Sequence, residues 1–183
     1  MNEIIFGKIQ GYLEAIALAN SLFDYQIRYV FNFYEIDYHE NVSQSVKEHI
    51  CNEYISFIKC DSGREDNKLL SAFENNFNLV HIHNWEEELN NELPDWFFRG
   101  SLANYEGYEE VKLSKNAYVN ITLLVQNFID LINEFFNGEP FEVWKLNEFF
   151  CNKLYCFWGG LHYLDYIFSF HNKIFVLHFH YVD

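Results

Sequence analysis

The chain has 183 residues, half of them hydrophobic and 20% aromatic, and a net charge of −15 from 27 acids against 12 bases. One domain of this length buries roughly 70% of its extended surface, so it needs no disulfide or metal staple, and its aromatic content excludes disorder. The charge excludes direct binding to a nucleic-acid backbone, where affinity comes from Lys and Arg, and to an acidic membrane surface. The partner it attracts is a basic one, although acidity also serves solubility alone.

Cys51, Cys60, Cys151 and Cys156 form no Cys-x-x-Cys pair, which suggests free thiols in a reducing compartment. The opening Met-Asn-Glu-Ile-Ile-Phe has no basic n-region and no long apolar run, so no signal peptide is expected. No stretch approaches the roughly 20 apolar residues of a spanning helix. A cytoplasmic protein is the reading that follows.

In chain order, Gly7 to Phe33 reads as helical, with Leu13, Ile16, Ala17 and Asn20 at helical spacing. From Tyr25 to Tyr34 the reading is open, because Ile27, Tyr29, Phe31 and Phe33 also alternate as in a strand. Asp37 to Asn41 is a polar break. Ser43 is a candidate N-cap for a second helix striped by Val46, Ile50, Tyr54, Phe57 and Ile58. The charged Asp61 to Asp66 ends it as a loop. Leu69, Leu70, Phe73 and Phe77 give a short third helix, and Leu79 to His83 a short strand.

Asn84 then caps a helix whose first turn, Trp85-Glu86-Glu87-Glu88, complements the helix dipole, and Pro94 stops it. Trp96-Phe97-Phe98 fits no element by pattern. Gly100 to Lys115 reads as loop. A long helix from about Asn116 to Phe136 is closed by Gly138 and Pro140. Phe141 to Tyr155 reads as another amphipathic helix through Val143, Trp144, Leu146, Phe149 and Phe150.

After Gly159 and Gly160 come two runs dense in aromatic and β-branched residues, joined by His171-Asn172-Lys173. They read as a C-terminal β-hairpin. Phe175, Leu177, Phe179 and Tyr181 share one face, which should be buried. His178 and His180 share the other, which should meet solvent or a polar layer. The first run is apolar on both faces, as in a central or covered strand, so helices should pack on this sheet. The expected fold is α+β: a predominantly helical single domain, 1–183, with a small antiparallel sheet including the hairpin.

No stretch names a reaction. There is no phosphate-binding Gly-rich loop and no Gly-x-Ser-x-Gly elbow. Two His-x-His pairs, His81/His83 and His178/His180, would each aim two imidazoles to one side of a strand, a geometry that metal enzymes use. Polar residues satisfied at a sheet edge are the commoner outcome. No catalytic residue, cofactor or metal ligand is assigned.

Acids interleaved with large aromatics are more suggestive. Glu86, Glu87, Glu88, Glu92 and Asp95, between Trp85 and Trp96, form one cluster; Tyr105, Glu106, Tyr108, Glu109 and Glu110 form a second. Rings supply contact area, and carboxylates complement Lys and Arg. These ten residues are the candidate partner-binding set. The bland alternative is a solvated helix face whose rings belong to the core.

A small acidic chain, rich in Asn, Ile, Phe and Tyr, with the aromatic ending from Trp158-Gly159-Gly160 to Asp183, resembles the immunity proteins of contact-dependent growth inhibition and related polymorphic toxin systems. The resemblance lies in size, charge and that ending, and assigns no residue roles. It implies a cognate toxin domain, basic as nucleases are, bound tightly in the cytoplasm and blocked by occlusion. The alternatives are a metal-dependent enzyme using the His-x-His pairs and a structural subunit of a larger assembly.

Overall fold

Aromatic and β-branched residues dominate 162–182, and in the computed structural model of the chain they form the centre of the molecule. The structure describes residues 2–23, 28–61, 75, 77–99, 115–147 and 162–182. In chain order the elements are α1 (Glu3–Phe23), β1 (Arg28–Ile36), α2 (Val42–Asp61), β2 (Leu79–His81), α3 (Trp85–Pro94) running into a π-helical turn (Asp95–Arg99), α4 (Lys115–Phe135), β3 (Glu142–Leu146), β4 (His162–Phe170) and β5 (Lys173–Val182). The strands make one sheet in the order β1-β5-β4-β3-β2, antiparallel at every junction. The α+β architecture and the C-terminal hairpin are as the sequence indicates.

The two hairpin strands are central, which explains why neither face of β4 reads as polar. One face carries Phe31, Phe33, Tyr166, Phe168, Phe175, Leu177 and Phe179, all nearly solvent-free, under α1, α3, the π-helical turn and α4. Rings from helix and sheet meet edge to face, as Phe33 and Phe135 do at 5.6 Å and 85°, the arrangement that ring quadrupoles favour. The other face carries Ile36, Ile167, Ile174 and Val176 beneath Val46 and Ile50 of α2.

Several expectations need correction. The open reading at 25–34 resolves to strand from Arg28 onward, because alternation puts Tyr29, Phe31 and Phe33 on the aromatic face. Helix α1 begins at Glu3, four residues ahead of the sequence reading at Gly7. Helix α2 is capped by Asn41, not Ser43: the Asn41 Oδ1 accepts the Gln44 N–H at 2.9 Å. Buried Ser45 locks this start by donating to the Asn41 carbonyl at 2.7 Å and accepting the His39 N–H at 2.9 Å.

Phe141 to Tyr155 is not a helix where it is described. Glu142–Leu146 is a strand paired with both β2 and β4. Val143 joins the aromatic core, while Leu146 packs with the α2 cluster. A short run apolar on both faces satisfies helical and strand spacing alike, and the sheet decides. The segment after Asn147 lies outside the described residues, as does nearly all of the expected third helix.

The hairpin loop is tighter than His171-Asn172-Lys173, since Lys173 already pairs with Phe170. The loop is His171-Asn172, with His171 in the left-handed region at φ 54°. At the end of α4, Asn137 and Gly138 take φ 56° and 69°, the conformation that terminates helices and suits Gly best.

Candidate protein-binding surface

Helix α3 presents the first acidic cluster, and its two sides behave differently. Leu89 and Leu93 are fully buried against the aromatic core. That orientation turns Glu88 and Glu92 toward β3, where both pair with the Lys145 ammonium, Glu88 at 3.0 Å. The Tyr166 hydroxyl of β4 donates to Glu92 at 3.1 Å. Burial lowers the affinity of Lys145 for its proton, but hydrogen bonds and charge from Glu92 and Glu88 outweigh it and hold the ammonium above the ordinary lysine range. Burial, then Glu92 and Glu88, pushes the Tyr166 phenol far above its usual value. This cluster fastens α3 to the sheet.

Glu86 and Glu87 face outward and are exposed. Glu86 accepts from the Asn133 amide of α4 at 2.7 Å, and Glu87 from Asn84 at 2.5 Å. The Asn84 side chain thus holds a carboxylate rather than capping the helix backbone. Asn133 sits between exposed Asp130 and Glu134, so the Glu86 contact brings the acids of α3 and α4 onto one surface. Among the described residues no Lys or Arg pairs with Glu86, Glu87, Asp130 or Glu134. Asp95 is exposed in the π-helical turn. Sequence alone does not single out Asp130 and Glu134, because only the packing of α4 on α3 adds them to Glu86.

Of the flanking rings, Trp85 and Trp96 are half-buried and belong to the aromatic core: Trp85 meets Phe141 at 5.2 Å and Trp96 meets Phe179 at 5.8 Å. The second cluster, Tyr105, Glu106, Tyr108, Glu109 and Glu110, lies outside the described residues.

The histidine pairs are built differently from each other. His81 and His83 stack edge to face at 4.5 Å, with His81 also 4.6 Å from Trp144. His178 lies under α2 in a polar layer and is 5% exposed. Its Nδ1 meets the buried Asp165 carboxylate at 2.5 Å, and its Nε2 meets His180 Nδ1 at 2.7 Å. Both ring nitrogens of His178 are thereby engaged, which leaves the pair unable to chelate as arranged. Among the described residues no group of three His, Cys, Asp or Glu side chains is placed to hold a metal.

This layer makes the fold sensitive to acid. Burial and the neighbouring His178 push the His180 imidazole down to about 4, with Asp165 opposing and Arg28 assisting. The unfolded chain, with an ordinary value of 6.5, therefore takes up this proton first. Stability is full above pH 6.5 and is lost as pH falls toward 4, by about 2 kcal/mol after allowance for partial exposure. Urea unfolding at pH 7.5 and 4.5 should show that excess loss in the parent chain relative to His180→Gln; parallel losses would contradict it.

Comparison of the chain with family models, curated proteins and solved structures finds no match. No described helix is long and apolar enough to cross a membrane.

Proposed function

We propose that the chain is an immunity protein: a non-catalytic inhibitor that binds a cognate, basic, nuclease-type bacterial toxin domain in the cytoplasm and occludes it. The observation that carries this reading is the acidic surface of α3 and α4. Glu86, Glu87, Asp130 and Glu134 stand exposed on packed helices without a cationic partner among the described residues, in a chain of net charge −15. Fixed like charges repel one another in the free protein, and a basic surface relieves that repulsion. The partner set narrows accordingly. Glu88 and Glu92 neutralise Lys145 internally, so they act through the fold, while the exposed Glu86 and Glu87 remain for contact.

The clean probe is therefore Glu86→Lys with Glu87→Lys, leaving Glu88 in place. Reversal gives up the dipole complement of the first turn and the Glu86–Asn133 contact, so the melting temperature should fall by about 5 °C while the chain stays folded. The reversal should slow association with the toxin about tenfold at low salt, with the difference shrinking as salt rises. An unchanged association rate would remove this surface from the interface.

A further inference from the structure

Strand β1 borders the sheet, and among the described residues only β5 pairs with it. The direction of its backbone follows from the hairpin. The two-residue loop makes Phe170 and Lys173 a hydrogen-bonded pair. Alternation then aims the β5 groups of Lys173, Phe175, Leu177 and Phe179 at β4, and those of Ile174, Val176, His178 and His180 at β1. Their β1 partners are Ile36, Tyr34, Asn32 and Val30. Phe31, Phe33 and Glu35 consequently turn their N–H and C=O groups away from the sheet. The Gln10 amide of α1 confirms that side by donating to the Phe33 carbonyl at 3.4 Å. Among the described residues nothing else bonds the outward backbone of these three.

A nine-residue edge of this kind is a template for another strand. Proteins commonly blunt such edges with Lys, Pro or a bulge. Tyr29 to Ile36 contains neither residue, and its register with β5 runs without interruption. The borders of the edge are acidic. Gln10 marks the side of α1 that faces it, and helical spacing places exposed Glu3 and Glu14 on that side. Gly7 lies between them, where an added Cβ would meet nothing within 4 Å. On the opposite face Glu53 of α2 acts on Tyr34, and Asp37 follows the strand. Arg28 stands at the far end, and Lys173 is already paired with Glu35 at 2.8 Å.

The structure assigns the outer edge of β1 as a strand-addition site for an extended, basic protein segment. It rests on the reading of this chain as a binder of a basic protein. Added backbone hydrogen bonds at Phe31, Phe33 and Glu35 provide affinity, while alternate Lys or Arg side chains of the segment, which share one face, meet the acids of α1. A second copy of the chain is the poorer occupant, because it brings a further charge of −15 against the same acids.

The test is amide hydrogen exchange by NMR on the full chain, with a synthetic octapeptide of alternating lysine and valine and a glutamate–valine control. The Phe31, Phe33 and Glu35 amides should exchange fast in the free monomer and slow with the lysine peptide alone. Glu35→Pro removes one outward N–H without touching the β5 ladder and should weaken the peptide about tenfold. Glu35→Gln, which keeps that N–H, should weaken it by no more than about twofold. Slow exchange at these amides in the free monomer, a free dimer protecting them, or protection only elsewhere would each overturn the assignment. The peptide contains no toxin, so this failure is separate from failure of the inhibitor reading, which falls on toxin capture.

Discussion

Replacing Phe33 with alanine lowers the unfolding free energy by about 4 kcal/mol. Phe33 is 1% exposed and stands where helix and sheet meet. Its ring lies 5.7 Å from Phe6 of α1, 5.6 Å from Phe135 of α4, 5.6 Å from Phe175 of β5 and 6.0 Å from Phe168 of β4. Truncation removes contacts to all four and leaves a cavity. The walls cannot collapse into it easily, because β1 and β5 are held by nine successive pairs and rings on rigid elements relax little. The melting temperature should fall by about 10 °C in a calorimetric scan. The control is Leu18→Ala, at a side chain 64% exposed on α1, which should change stability by no more than about 0.5 kcal/mol. Equal melting of the two variants would mean that the aromatic layer is not the core.

Asp165→Ala should cost about 3 kcal/mol. The carboxylate is wholly buried, and its removal leaves the 5%-exposed His178 without the acceptor that it meets at 2.5 Å. The loss reflects a stranded polar group more than the worth of the pair. Asp165→Leu combined with His178→Leu should therefore cost less than the sum of the single changes, because the buried carboxylate and imidazole go together and the one partner left over, His180, is only half-buried. Urea unfolding of the four chains at pH 7.5 measures the coupling. Additive losses, or a loss under about 1 kcal/mol for Asp165→Ala, would show that the pair does not organise the layer under α2.

The hairpin was readable because alternation in 173–182 is regular, and a two-residue loop suits His171-Asn172. Helices α2, α3 and α4 were readable from their stripes, since each buries one face only. Strand β3 was not, because Val143 and Leu146 serve opposite faces and give no period-two signal. The cap of α2 was misplaced because Asn41 and Ser43 are both good caps, and hydrogen bonding by Ser45 selects between them. Within the candidate surface, sequence could locate the acids but not divide them. Glu88 and Glu92 look no different from Glu86 and Glu87 until Lys145 arrives from a strand more than fifty residues away. The buried Asp165–His178–His180 chain was half visible: the His-x-His spacing was there, whereas the carboxylate came from register across β4 and β5.

The claim on which the account turns is that this acidic chain neutralises a basic toxin. Its most direct measurement is a pull-down from the native host with the tagged chain as bait, read by mass spectrometry with stoichiometry and bound metal. The account predicts one basic toxin fragment in equal amount, retained through moderate salt and inactive while bound. Recovery of no partner, together with stoichiometric zinc or iron in the purified chain, would contradict it and direct attention to the histidines.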